Sequence, residues 1–313
     1  MAKSVFGVDL GGTTVKLGLF TPEGEVVEKW EIVTRKEDSG KLILPDIADA
    51  IKAKMAEKNI AKEEVIGVGI GVPGPVDSNG IIYKAANLGW GVFSIKNQLT
   101  ELLDGIRVEA GNDANVAALG EMWRGGGKGH KNMVAVTLGT GVGGGIIVDG
   151  KILTGATGAG GEIGHIHVED AETETCGCGN AGCLEQYTSA TGCVRLANRR
   201  LAKDDKPSML RGIEVTAKDV WDAVKAGDSI AIEVAEQFGE YLGRGLASVA
   251  CVVNPEIFVI GGGVSKAGDV LIDYAKPHYE KLVFHGSREA KFALATLGND
   301  AGIYGAAKLV VEE

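Results

Sequence analysis

Apolar residues along the chain fall into short runs separated by turn signals and by longer stretches of helical period. Val5-Phe6-Gly7-Val8, Val15 to Phe20 and Val26 to Trp30 are strand-like runs divided by glycine-rich or Pro-Glu-Gly turns, so the chain opens as a meander. Ile47, Ile51 and Met55 then recur at four-residue spacing, which predicts a helix with one apolar face. Val65 to Ile70 reads as a buried strand, broken by Val72-Pro73-Gly74-Pro75. A second meander begins near Met133, with Met133 to Leu138 and Gly145 to Val148 as strands and Asp149-Gly150 as a hairpin turn. From residue 184 to 253 the pattern is helical, and Ile230, Val234, Phe238, Leu242 and Leu246 form one stripe that Asn254-Pro255 stops. Ile257 to Ile260 is a buried strand running into Gly261-Gly262-Gly263, and Ala301 to Val311 closes the chain as a helix. Strands alternating with helices predict an α/β fold.

The two meanders share more than their pattern. Thr137-Leu138-Gly139-Thr140-Gly141 resembles Asp9-Leu10-Gly11-Gly12-Thr13 at an ungapped offset of 128 residues, which suggests duplicated halves. With 313 residues, 45% of them hydrophobic, the chain is long enough for two cores, and no flexible linker divides it; the halves are expected to pack as lobes around a cleft.

Charge and segment content narrow the partners. No run of about 18 apolar residues occurs, and Met1-Ala2-Lys3 leads straight into a strand, so the expected location is cytoplasmic, away from any membrane. A net charge of −10 without a Lys/Arg cluster argues against nucleic acid as a partner, so any phosphate must be met locally. The 48 glycines provide the means, because they fall in clusters where backbone N–H groups can approach an anion.

In Asp9-Leu10-Gly11-Gly12-Thr13 the paired glycines would point N–H groups at phosphate oxygens, Thr13 would add a hydroxyl and Asp9 would hold Mg²⁺; Lys16 follows on the next strand. A plain glycine-rich hairpin explains one such loop. A second, built on Thr137, Gly139, Thr140 and Gly141, turns the pair into a clamp for a triphosphate, and Gly261, Gly262 and Gly263 offer room for a base and ribose. The spacing is neither that of a P-loop nor that of a Rossmann fingerprint.

Three of the five cysteines, Cys176, Cys178 and Cys183, lie within eight positions. With an upstream histidine, His165 or His167, they compose a closed N/S₃ set suited to structural Zn²⁺, whereas a redox pair lacks its usual C-x-x-C spacing. Glu162 and Glu185 flank the cluster, and a formed zinc site would pin both near His165, where a sugar could donate hydroxyl hydrogens to them. Asp113, in Gly111-Asn112-Asp113-Ala114-Asn115, opens a helix through Ala117, Leu119 and Met122, and by itself reads as its N-cap.

These residues resemble the ROK family (repressors, open reading frames and kinases) over essentially the whole chain. Its signature is matched by Leu138, Gly141, Val142, Gly143, Gly145, Ile146, Gly155, Gly161, Gly164 and His165, together with Asp9-Leu10-Gly11-Gly12-Thr13, Glu162-Ile163-Gly164-His165 and Cys176-x-Cys178-Gly179-x-x-Gly182-Cys183-x-Glu185. The resemblance implies an actin-like, hexokinase-related fold of two α/β lobes: residues 1–110 joined by a returning C-terminal helix within 298–313, and residues 111–297. It also implies an ATP- and Mg²⁺-dependent sugar kinase with structural Zn²⁺. Asp113 then becomes the catalytic base, and Asn87, Asn112, Asp113, Glu162, His165 and Glu185 bind the sugar. The family's Glu-x-Gly-His histidine serves both sugar and zinc, which favours His165; the acidic stretch Val168 to Thr175 departs from the family pattern. Cys183-Leu184-Glu185-Gln186-Tyr187 resembles the version in glucose-phosphorylating members, so glucose is the expected acceptor, ahead of N-acetylmannosamine, N-acetylglucosamine, mannose or fructose. A homodimer is expected. Repressors of the family carry a DNA-binding domain ahead of the kinase body, for which a phosphate loop starting at Asp9 leaves no room, and a noncatalytic sensor would lose the base or the loops that this chain keeps.

Overall fold

The computed structural model describes residues 3–83 and 85–311. Its strands are β1 (Ser4–Leu10), β2 (Thr14–Phe20), β3 (Val26–Val33), β4 (Val65–Val72), β5 (Ile81–Ile82), β6 (Phe93–Ser94), β7 (Val108–Asn112), β8 (Met133–Leu138), β9 (Val142–Val148), β10 (Lys151–Ile152), β11 (Ile257–Gly261) and β12 (Lys291–Leu294). Two five-stranded sheets carry the fold, in the orders β3-β2-β1-β4-β7 and β10-β9-β8-β11-β12, while β5 and β6 pair separately. In each large sheet the first three strands in sequence form an antiparallel meander, and the last two add in parallel beside the first. The 128-residue offset is therefore architectural: Thr14–Phe20 maps onto Val142–Val148, and each glycine loop occupies the same turn of its own sheet.

Burial follows position in the sheet. Edge strand β3 alternates half-buried and exposed residues, the period of a strand with one wet face, whereas β11 is buried throughout and β4 from Gly67 onward, because helices and neighbouring strands cover both sides. The helix expected from Ile47, Ile51 and Met55 runs over Ile43–Lys58 and ends on Asn59 at φ 55°. The stripe from Ile230 to Leu246 lies on the 25-residue helix Ser229–Val253, each of its five side chains no more than 1% exposed, and Asn254 ends that helix in a left-handed conformation (φ 44°) before Pro255. Among the described residues no helix is long and apolar enough to cross a membrane.

Two helices join the sheets. Asp113–Arg124 leaves β7 and packs on β9, and Ala301–Val310 returns after β12 to cover β1 and β4, where Ile303, Ala307 and Val310 form a cluster with Val5 and Phe20 separate from the first sheet's main core. The two helices also pack on each other, backbone against backbone: a Cβ at Gly305 would lie 1.6 Å from the Val116 carbonyl oxygen, and one at Gly69 of β4 would lie 1.7 Å from that of Ala306.

Candidate active site and metal centre

The first glycine loop is a tight turn fixed from outside. Gly11 N donates to Thr14 O (3.0 Å), and the Thr34 hydroxyl donates to Gly11 O (2.7 Å). Nothing lies within 4 Å of a Cβ placed on Gly12, so its backbone is open to a ligand. The second loop closes with Gly139 N donating to Gly141 O (3.0 Å) and is tied to the helix Ala190–Leu201, whose Ala190 N donates to Gly139 O (2.7 Å) and whose Thr191 hydroxyl donates to Thr140 O (2.9 Å). Gly261-Gly262-Gly263 follows β11 and presses on the end of β8, where Gly262, at φ +86°, leaves a Cβ only 2.5 Å from Leu138 O. Beyond Gly263 opens a cavity of about 400 Å³ lined by Ala190, Thr216, Trp221, Val264 and Ala267. Trp221 and Thr216 carried no sequence signal, since they reach the triglycine turn only through the packing of a separate helix.

At the end of β1, burial raises the Asp9 carboxyl to about 6, against the pull of Lys16 and with a further push from the charge of Asp113. Lys16 Nζ donates to Asn299 O (3.0 Å), which ties this strand to the segment preceding the last helix. Asp113 is not the N-cap. Asn112 caps the helix, its Oδ1 accepting from Ala114 N (3.0 Å) and Asn115 N (3.2 Å), while its Nδ2 donates to Gly74 O (3.2 Å) and to Asp113 Oδ1 (3.0 Å). One asparagine thus fixes the helix start, the Pro73-Gly74-Pro75 loop and the Asp113 carboxylate. Burial raises Asp113 above the usual carboxylate range; hydrogen bonds from Ala114 N and Asn112 oppose this, and the Glu162 charge adds to it. Asp113 therefore lies within electrostatic reach of both Asp9 and Glu162. Asn87 stands exposed on the turn Ala86–Leu88 and makes no hydrogen bond to these carboxylates.

The ligand atoms of His165, Cys176, Cys178 and Cys183 all lie within 4.8 Å of one another. Cys178 Sγ is 3.6 Å from Cys183 Sγ, and Cys176 Sγ is 3.7 Å from His165 Nδ1. A zinc tetrahedron with Zn–S near 2.3 Å has edges of about 3.8 Å, so this donor set fits the ion. His167 is turned elsewhere: its Nδ1 pairs with Ala181 O (3.0 Å) and its Nε2 with Asp170 (2.8 Å). Glu185 bridges cluster and loop, with Oε1 3.0 Å from Cys176 Sγ and Oε2 accepting from Val142 N (3.3 Å).

The acidic stretch that departs from the family pattern has local work. Glu172 accepts from the Tyr187 hydroxyl (2.6 Å) and from Arg199 (3.0 Å), Glu174 pairs with Arg195 (2.9 Å) and Arg199 (3.0 Å), and Glu174 O accepts from Gln186 (2.9 Å). The metal loop is thereby sewn to the helix Ala190–Leu201. Glu121 likewise carries no sequence signal: buried in the connecting helix, its carboxylate accepts from Gly126 N (2.8 Å), Thr296 N (3.1 Å) and Leu297 N (2.9 Å) and holds the crossover to the last helix.

Comparison with known proteins agrees in extent. The profile of the ROK family matches residues 5–313. The chain is 46% identical to a glucokinase of Halalkalibacterium halodurans over 98% of its own length and 94% of the relative's. Among solved structures, it resembles a ROK hexokinase from Thermus thermophilus (TM-score 0.79, 31% identity, 97% and 96% of the two chains covered). It also resembles a ROK family glucokinase from Streptomyces griseus in complex with glucose and AMPPNP (TM-score 0.71, 34% identity, 98% of both chains).

Proposed function

Since the chain belongs to the ROK family, we propose that it is an ATP-dependent sugar kinase that transfers the γ-phosphoryl group to the 6-hydroxyl of glucose. One observation carries the chemistry: Asp113 is a carboxylate with a raised proton affinity, fixed by Asn112 and within electrostatic reach of both Asp9 and Glu162. In that position it orients the hydroxyl and accepts its proton, while transfer itself depends on positioning and charge stabilisation in a loose transition state. Gly11, Gly12 and Thr13 together with Thr137, Gly139, Thr140 and Gly141 would hold the triphosphate, Asp9 and Lys16 would bind its Mg²⁺ and charge, and the cavity past Gly261-Gly262-Gly263 would take the nucleoside. ATP is preferred over polyphosphate because the cavity beside Trp221 suits a base and no basic track suits a long polyanion.

His165, Cys176, Cys178 and Cys183 would hold Zn²⁺, which supplies rigidity and no open coordination position. His165 uses Nδ1 toward the cysteines and keeps Nε2 for a sugar oxygen; Glu162, Glu185, Asn112 and Asn87 take the remaining hydroxyls. Residues 1–110 with 298–313, and 111–297, act as the lobes that close on the sugar. The homodimer is proposed from the family resemblance, and the cytoplasmic location from the lack of a long apolar run in the sequence.

A coupled assay with Mg-ATP across glucose, mannose, fructose, N-acetylglucosamine and N-acetylmannosamine tests the acceptor. A site built for a 2-hydroxyl rejects a bulky acetamido group, so kcat/KM should be highest for glucose, with mannose next. A higher value for either acetylated sugar would overturn the glucose assignment and leave the kinase intact.

A further inference from the structure

Asn112 and Asp113 have roles in the site, but Asn115, one helical step further, has none. It is 3% exposed, and its side-chain Oδ1 is buried and accepts no hydrogen bond among the described residues. A buried acceptor without a donor costs stability, so a site that keeps one needs a state in which it is satisfied. The surroundings indicate which state. Gly145 of β9 backs the residue, with a Cβ there 3.3 Å from Asn115 Cα. On the other side lies Gly161, whose Cβ position falls 3.5 Å from Asn115 Oδ1. Gly161, at φ +93°, delivers the chain to Glu162 and the short turn Ile163–His165, and the backbone N–H groups of Gly161 and Glu162 donate to no other described residue. A buried acceptor without a protein donor therefore lies beside the partly exposed Gly161-Glu162 segment, whose N–H groups donate to no described residue.

We propose that Asn115 is a positioning residue for sugar recognition: as sugar draws the Gly161-Glu162 segment inward, Asn115 Oδ1 accepts a backbone N–H from it and locks the Glu162 carboxylate onto the sugar hydroxyls. This rests on the reading of Glu162 as a sugar ligand. The free protein keeps the acceptor unpaired, so part of the binding energy of the correct sugar goes into forming this bond, and a sugar that fails to engage Glu162 leaves it unmade.

The test uses Asn115→Leu, which keeps the volume and removes the acceptor, combined with Glu162→Gln in a double-mutant cycle on KM for glucose. Asn115→Leu should raise KM about tenfold with kcat within about threefold, leave zinc content and the melting temperature of the sugar-free protein unchanged or slightly raised, and diminish the stabilisation that glucose gives. On the Glu162→Gln background it should add less than twofold, because the two residues act through one interaction. A KM within twofold of wild type in Asn115→Leu, or full multiplicative losses in the cycle, would overturn the proposal. An unaffected KM in Glu162→Gln would instead remove Glu162 as a ligand. Should the leucine variant fold poorly, Asn115→Ser, whose hydroxyl is too short to reach the loop, serves in the same cycle with the same expected outcome.

Discussion

Asp9 feels the charge of Asp113 and Asp113 that of Glu162, and burial raises both carboxyls. Asp9 is raised to about 6 from an ordinary 3.8, so without a cation the folded state favours its protonated form. The stability this gives is complete below about 3.8 and is lost as pH rises through about 6, when the buried carboxylate must ionise. Relative to wild type, Asp9→Asn should therefore gain melting temperature between pH 5 and 7 in metal-free buffer, and Mg-ATP should cancel the gain by stabilising only the wild type; a pH-independent difference would remove the burial argument. If Asp113 is the base proposed above, Asp113→Asn should lower kcat at least ~10²-fold while glucose affinity stays within about tenfold, and near-normal turnover in steady-state kinetics would exclude it. Asp9 stands out in sequence because a paired-glycine turn follows it, whereas Asp113 reads from its own motif as a helix cap and takes its catalytic role only from the family resemblance. The cap was misread by one residue, since Asn112 and Asp113 are both good caps and only the fold decides which side chain turns back to the helix. His165 and His167 were equally open to the cysteines by spacing; the choice depends on Ala181 O and Asp170, which hold His167 away from them.

At the level of elements, the metal loop has two independent fastenings. One is the His165 and cysteine set, which Cys178→Ser breaks; metal analysis should then find no zinc, and glucose KM should rise because Glu162, His165 and Glu185 lose their common support. The other is the Glu172–Tyr187–Arg199 network, in which hydrogen bonds from Arg199 and Tyr187 hold Glu172 at about 2, well below the usual carboxylate range. A depressed carboxyl contributes stability above its ordinary value near 4.5 and loses it as pH falls toward 2. Glu172→Gln should thus cost about 1–3 kcal/mol at neutral pH, the range for leaving buried charged partners unmatched, and chelator should strip zinc from it faster than from wild type. Equal chelation rates would mean that the network lies outside the loop's support. The cysteine fastening was legible because its residues are rare and adjacent. The carboxylate fastening was not: in sequence Glu172 and Glu174 look like a solvated acidic run, and their partners Arg195 and Arg199 are set opposite them only by the fold.

Over the whole molecule, duplication was the most legible feature, because a strand–glycine turn–strand unit keeps its register when copied and the 128-residue offset survives in the loops. How the copies are joined was not legible, since a glycine within an apolar run gives no hint of which backbone it touches. Four contacts define the joint. Gly7 and Gly69 of the first sheet bring the last helix within 2.0 and 1.7 Å of a would-be Cβ, measured to Ile303 O and Ala306 O, and Gly120 and Gly305 do the same between the two connecting helices, at 2.2 Å to Ala301 O and 1.6 Å to Val116 O. The opposing atoms are carbonyl oxygens in helices, which have no rotamer to change, so an added methyl group must push the helices apart. Overpacking costs about 1–3 kcal/mol where side chains can adjust, and Gly305→Ala should reach or exceed the upper end of that range. If the lobes proposed above close on glucose through this helix pair, the substitution should also reduce that closure, read as the change in intrinsic tryptophan fluorescence from Trp123 in the connecting helix and the other tryptophans. Gly91→Ala is the control: nothing lies within 4 Å of its Cβ position, so thermal unfolding and closure should match wild type. If Gly305→Ala unfolds and closes as wild type does, the helices have more room than their backbone contact allows and the joint lies elsewhere.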